Sequence, residues 1–290
     1  MARVVALGGG HGLAATLAAA RRYATDLCAV VSVADDGGSS GRLRAAFGIP
    51  PPGDLRKCLV ALADPESLWT SAFEHRFDAG ELEGHAFGNL VLAGLAASTG
   101  DFERALAEAG RLLGAVGRVV PATTEPVVLK AVVRGADGDG ADITGQVAVA
   151  GSQGIAGVSI VPADAQAPHA ALDALARADQ VVLGPGSLFT SVLAVVAVPA
   201  VRDALAATPG RKVYVCNLRP QLPETAGYDV AAHVDALRAH GLDVDVVLCD
   251  PDSLPMGRLD VECVVRPVAR PDGMGHDPVL LAAALQNLLS

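Results

Sequence analysis

The sequence predicts an α/β protein with a doubly wound, mostly parallel sheet and a β-rich insertion, all within one domain spanning residues 1–290. Three observations carry this. Short apolar runs at Arg3–Leu7, Leu27–Val33 and Gln180–Leu183 each end in a glycine-rich turn. Stretches of helical propensity, rich in Ala and Leu, separate such runs. Strands alternating with helices produce parallel sheets, because a parallel return needs a crossover. The segment at about 119–161 breaks the rhythm with alternating Val-rich runs, the pattern of antiparallel strands.

Taken in order, Arg3–Leu7 is a strand, Leu13–Tyr23 a helix and Leu27–Val33 a second strand, the opening βαβ of a Rossmann-like sheet. A stiff loop at Ile49–Gly53 precedes a helix over Leu55–Ala63, with Asp54 expected as its N-cap. Trp69–Phe77 carries much of the sparse aromatic content, and helices are expected at Asn89–Ala97 and Phe102–Leu113. Gly135-Ala136-Asp137-Gly138-Asp139-Gly140 reads as a tight turn within the β-rich insertion. The α/β alternation resumes with a helix at Ala170–Ala178 and strands at Gln180–Leu183, Lys212–Cys216 and Val244–Cys249. A helix near Val230–His240 lies between the last two. His276-Asp277-Pro278 reads as an Asp-capped helix start with proline in the first position.

The composition narrows function mainly by exclusion. A formal net charge of −10 and the lack of any Lys/Arg-rich run argue against nucleic acid or anionic membranes as partners. Any phosphate must be held locally, by backbone amides and a few arginines. The five cysteines are scattered without a C-x-x-C pair and are expected to be reduced, mostly packed as small apolar groups. The first apolar run is too short for a signal peptide or a membrane span, so a cytoplasmic location is expected.

Four segments are candidates for chemistry. Gly8-Gly9-Gly10-His11-Gly12 follows the first strand, and Gly10 to Ala15 fits G-x-G-x-x-A. Glycines there let amides approach an anion at a helix N-terminus, although a ligand-free tight turn has the same appearance. Asp35, closing the second strand, stands where a carboxylate accepts from a ribose hydroxyl. Asp35-Asp36-Gly37-Gly38-Ser39-Ser40-Gly41 is richer in carboxylates, glycines and hydroxyls than a surface turn requires. It offers Ser39 and Ser40 to phosphate, and Asp36 to Mg2+ as a candidate ligand.

The third candidate is Gly53-Asp54-Leu55-Arg56, which places a cation in a first helical turn, where the dipole disfavours it unless an anion is near. An ion pair with Asp54 or another neighbour would also explain Arg56. Asn89 opens a further helix and is readable either as its cap or as a ligand. The fourth is Gly184-Pro185-Gly186-Ser187-Leu188-Phe189-Thr190-Ser191, a second glycine–hydroxyl cradle at a strand end. Gly184, Gly186, Ser187, Thr190 and Ser191 are its candidate ligand contacts, and a plain turn with a Ser cap is the alternative. Histidines show no zinc spacing on one helix face.

Several of these motifs together resemble the YvcK, or gluconeogenesis factor, family, relatives of the CofD phospholactate transferases. The resemblance rests on Gly8–Leu13, Val33–Leu43, Pro51–Arg56, Gly84–Leu90, Gly184–Val192, Cys216-Asn217-Leu218 and Glu224–Tyr228, in family order. It implies a CofD-like fold and binding of UDP-sugars, notably UDP-N-acetylglucosamine, with Asn217 joining the ligand contacts. It also implies a role in cell shape, peptidoglycan supply and gluconeogenic growth, exerted through a regulatory protein partner that the sequence does not identify. His11, where many relatives carry Thr, resembles the actinobacterial branch. Gly275 departs from the family, which usually has Arg before the late His-Asp-Pro.

Three readings follow from this. The first is a nucleotide-sugar-binding regulator, either a monomer or a homo-oligomer. The second is a CofD-like nucleotide-dependent phosphoryl transferase with Mg2+, and the third an NAD-binding dehydrogenase. The glycine–serine form after the second strand, unlike the acidic metal-binding signature of CofD enzymes, favours the first. No general base stands out.

Overall fold

The computed structural model describes residues 2–134 and 140–289. The chain runs β1 (Arg3–Gly8), α1 (Gly10–Ala20), β2 (Asp26–Val31), α2 (Gly38–Phe47), α3 (Pro52–Leu62), α4 (Leu68–Glu74), α5 (Phe87–Thr99), α6 (Phe102–Leu113) and β3 (Arg118–Pro121). Then come β4 (Val128–Arg134), β5 (Gly140–Thr144), α7 (Gln146–Ala150), β6 (Ile155–Val161), α8 (His169–Ala176) and β7 (Gln180–Leu183). A π-helical turn at Leu188–Val192 leads into α9 (Leu193–Val196). The remainder is α10 (Pro199–Ala207), β8 (Arg211–Val215), α11 (Val230–Ala239), β9 (Val246–Cys249), β10 (Glu262–Val265) and α12 (Pro278–Gln286).

Seven strands form the main sheet in the order β10-β9-β8-β7-β1-β2-β3. Every neighbouring pair is parallel, with Leu7 level with Val30 on one side and Leu183 on the other. After its first residue β1 is buried throughout, and β7 is buried along its whole length. Helices flank the sheet, so these strands read as unbroken apolar runs rather than alternating ones. The doubly wound expectation holds.

The β-rich insertion is smaller than the pattern implied. Arg118–Pro121 lies in the main sheet, pairing parallel with Cys28–Val31 of β2. Among the described residues the antiparallel sheet contains only β5, β4 and β6, in that order. The tight turn expected at Gly135–Gly140 lies outside the described residues except for Gly140, which pairs with Arg134.

Local rules account for several helix ends. Asp277 caps α12 by accepting from the Val279 and Leu280 N–H groups, with Pro278 in the first position as expected. Two expected caps fail. α3 starts at Pro52 after Pro51, so Asp54 lies inside its first turn. α5 starts at Phe87 after Ala86, so Asn89 is also internal. The run Gly38-Ser39-Ser40-Gly41, read from sequence as loop, is the first turn of α2. Among the described residues, no single helix is long and apolar enough to cross a membrane. The five cysteines are unbridged, four of them buried.

Candidate functional site

After β1 the chain winds outward through β2 to β3, then returns to lay β7 on the opposite side of β1. The chain therefore leaves the carboxyl ends of β1 and β7 toward opposite edges of the sheet. This is the topological switch point, where open α/β sheets bind ligands. Both glycine loops sit there, Gly8–Gly12 after β1 and Gly184–Gly186 after β7. Their approach needs glycine: a Cβ on Gly12 would lie 1.6 Å from the Pro185 carbonyl oxygen. Gly186 has φ +140°, a conformation L side chains rarely adopt. Asn217 fixes that residue from both sides, its Oδ1 accepting the Gly186 N–H and its Nδ2 donating to the Gly186 carbonyl, each at 2.7 Å.

α1 begins beside this junction with Gly9 as N-cap, and no side chain satisfies its first amides. Nor is there an acidic residue in its first turn, so that end keeps its partial positive charge. His11 and Gly12 of that turn line a crevice of about 280 Å³ bounded opposite by residues 217–221 and 273–276. Burial lowers the His11 pKa, reinforced by the nearby Lys57 ammonium and opposed by Asp54. A larger cavity of about 610 Å³ beside α6 and β3 is lined mainly by apolar groups, with neither glycine loop nearby.

The second cradle is already filled. Glu224, a buried carboxylate, accepts the Phe189 N–H at 2.6 Å and the Thr190 N–H at 3.4 Å. The Ser187 hydroxyl donates to Glu224 and also pairs with Thr190 Oγ1. Ser187 and Thr190, expected to hold ligand phosphate, thus serve an anion of the chain itself. The turn beneath them is π-helical, with the Val192 N–H reaching back to the Ser187 carbonyl at 3.1 Å.

The segment after β2 is likewise divided between roles. Asp36, the expected Mg2+ ligand, accepts the Gln146 and Val147 N–H groups, each at 3.0 Å. Both its oxygens therefore cap α7, where the helix dipole favours a carboxylate. Ser40 Oγ accepts the Gly53 N–H at 3.1 Å, and a Cβ on Gly53 would meet it at 2.3 Å. Ser39 Oγ lies 2.9 Å from His85 Nδ1 and accepts from Asn89 Nδ2 at 3.1 Å. Asn89 Oδ1 in turn accepts from Arg56 Nε at 3.1 Å, and Arg56 also donates to the Phe73 carbonyl. Arg56 and Asn89, expected as ligand contacts, join a buried chain of hydrogen bonds that ties α2, α3 and α5 together. Burial lowers the Arg56 pKa, with the Glu74 charge opposing.

Asp35 and Asp54 lie near each other, outside the lining of the crevice. Burial raises the Asp35 pKa, countered by the Gly37 N–H that it accepts at 3.0 Å. Asp54 pairs with Lys57 at 3.0 Å. Its other oxygen and Ser191 Oγ both face Gly9, where a Cβ would approach them to 2.6 and 3.2 Å. Gly8, Gly9, Gly10, His11, Gly12, Asp35, Asp54 and Ser191 are thus gathered at the end of β1. Among the described residues, no group of three or more His, Cys, Asp or Glu side chains is arranged to hold a metal ion.

Sequence reasoning missed Lys57, Arg219, Gln221 and a structural role for Glu224. His276 was read only as part of a helix start. In the structure it is buried and lines the crevice. Its nearness to Gly12 depends on a contact between distant parts of the chain, and no local signal marks it.

The sheet order and the paired glycine loops at its switch point define a doubly wound α/β protein. The chain belongs to the CofD family, whose model, described as 2-phospho-L-lactate transferase CofD, matches residues 4–265. It is 45% identical to a Mycobacterium tuberculosis relative over a 306-residue alignment, covering 98% of this chain and 90% of that one. The gluconeogenesis factor of Bacillus subtilis is 40% identical over 258 residues, covering 87% and 80%. A crystal structure of a UPF0052-family protein from Bacillus halodurans superposes with a TM-score of 0.91 at 34% identity, covering 98% of each chain. The resemblance to the gluconeogenesis factor family is upheld.

Proposed function

We propose that this protein binds a nucleotide sugar, UDP-N-acetylglucosamine, in the switch-point crevice, and that it acts in the cytoplasm as a regulator rather than through turnover. One observation carries the binding part of this reading. The uncapped N-terminus of α1 and the Gly184–Gly186 loop meet at Gly12 and Pro185, leaving backbone amides beside an open crevice. Such amides suit a diphosphate. The kinship with gluconeogenesis factors supports a regulatory role in gluconeogenic growth. A link to cell shape and peptidoglycan supply follows from the choice of ligand. Occupancy of the crevice shifts a conformational equilibrium that a protein partner reads.

Thermal unfolding with and without ligand tests this. At a ligand concentration ~100 times its dissociation constant, linkage adds about 2.7 kcal/mol. That is several degrees in midpoint, at ~2–4 °C per kcal/mol. UDP-N-acetylglucosamine should give that shift and NAD a smaller one; an equal or larger shift with NAD overturns the reading.

The family model's description favours a second reading, a nucleotide-dependent phosphoryl transferase. Incubation with UDP-N-acetylglucosamine, Mg2+ and a deazaflavin acceptor, followed by chromatography, separates the two. Intact ligand supports the regulator, and time-dependent release of UMP with the sugar phosphate joined to the acceptor supports the enzyme.

A further inference from the structure

The crevice wall facing α1 carries two buried polar atoms that nothing among the described residues satisfies. They are Gln221 Oε1 and His276 Nε2, and both residues line the crevice. Leaving a buried acceptor unpaired costs about 1–3 kcal/mol, and native proteins contain few such groups. The third unsatisfied atom, His233 Nε2, differs. Its ring packs against Tyr214 and Tyr228 within the core, away from the crevice.

Both crevice atoms are acceptors. The His276 ring hydrogen-bonds to the Cys216 backbone carbonyl, so the nitrogen used there carries the proton, and burial keeps the ring neutral. Nε2 then presents a lone pair. The Gln221 backbone is fixed by exchange with Thr225, through the Gln221 N–H to Thr225 Oγ1 at 2.9 Å and the Thr225 N–H to the Gln221 carbonyl at 2.8 Å. Its side-chain oxygen is left over.

Arg219 stands two residues earlier on the same wall and is exposed. Its guanidinium reaches toward the facing segment, with Nη1 3.3 Å from Met274 Sδ. Among the described residues it meets no carboxylate, although the chain has 32 acidic side chains. A thioether is a weak acceptor, so that contact yields readily to an anion.

We infer that Arg219, Gln221 and His276 form one subsite, for a ligand that joins an anionic group to hydrogen-bond donors. Arg219 takes the phosphate oxygens, and Gln221 Oε1 and His276 Nε2 accept from O–H or N–H groups. This rests on reading the crevice as a nucleotide-sugar site, and specifies which side chains select the ligand. The donors come either from sugar hydroxyls or from the imide N–H of a uracil base.

Titration calorimetry with UDP-N-acetylglucosamine, UMP and N-acetylglucosamine 1-phosphate tests the assignment. Arg219→Ala should weaken UDP-N-acetylglucosamine binding about tenfold or more, the scale of one lost charge-assisted hydrogen bond. Arg219→Lys should recover most of that loss. Gln221→Met, which keeps the backbone turn and side-chain length, should weaken UDP-N-acetylglucosamine and one of the two fragments. Loss toward UMP assigns the base as donor, and loss toward the sugar phosphate assigns the hydroxyls. Melting curves confirm that each variant is folded. Parent-like affinity for UDP-N-acetylglucosamine in either Arg219→Ala or Gln221→Met overturns the subsite alone. A parent protein that binds none of the three overturns the subsite and the nucleotide-sugar reading together.

Discussion

The Glu224 carboxylate accepts the Phe189 backbone N–H at 2.6 Å, placing an internal anion on the amides that open the π-helical turn. A helix-opening cradle at a strand end invites an external phosphate by composition. Here the chain fills it, which concentrates the remaining open amides at α1. Glu224→Ala should lower stability by an amount on the order of 3 kcal/mol, since it removes charge-assisted bonds from a buried site. Glu224→Gln should lose less. Calorimetric melting measures both, and an alanine variant melting within 1 °C of the parent (roughly 0.5 kcal/mol or less) would refute the capping role.

Asp36 and α7 make a separable pair. Asp36→Ala removes the acceptor for the Gln146 and Val147 N–H groups and should cost about 1 kcal/mol, as loss of a helix cap does. Denaturant titration reports that loss. The dependence of ligand binding on Mg2+ should be unchanged, and a diminished one would return Asp36 to the metal site.

Two glycines of the junction should fail in different ways. Gly12→Ala drives a Cβ into the Pro185 carbonyl, pushing the glycine loops apart. Overpacking of this kind costs about 1–3 kcal/mol, and ligand binding should vanish. At Gly186 the nearest atom to an added Cβ is 3.7 Å away, but φ is +140°. Gly186→Ala should therefore show backbone strain of ~1–3 kcal/mol with weakened rather than abolished binding. Equal affinities in the two variants would contradict the close-approach argument.

Stability should fall with acid in part through His276. Burial lowers its pKa to about 4, while the Cys216 carbonyl and the Asp250 charge pull the other way. Its ordinary value is about 6.5. Between these two values the unfolded chain binds a proton that the folded chain refuses, so stability declines as pH drops from ~6.5 toward 4. The full effect is on the order of 3 kcal/mol for this buried ring. His11, His85 and His233 are also shifted downward by burial, adding slope of the same sign. Comparing His276→Asn with the parent across pH 7 to 4 isolates the His276 share. A parallel pair of curves would show that the ring is protonated in the fold.

The sequence by itself determined the strands and the glycine turns that follow them. Runs such as Leu27–Val31 and Gln180–Leu183 are apolar on both faces, which only a strand buried between helices requires. Gly12 and Gly186 mark backbone that tolerates no side chain, and such demands show in the residue itself. Only the tertiary structure decided what lies across from what. Val119–Pro121 has the same local pattern as a hairpin strand, and its parallel pairing with Ala29–Val31 alone places it in the main sheet. The Gly38–Gly41 run looked like loop because glycine and serine are weak helix formers, but Ser39 and Ser40 are held by Asn89 and Gly53. Asp36 finds its partners at Gln146 and Val147, Glu224 at Phe189, and His276 at Cys216. Local periodicity records how a segment meets the core. A carboxylate or an imidazole contributes the same letter whether it caps a helix, fills a cradle or waits for a ligand, and its partner is set by distant chain brought near by the sheet.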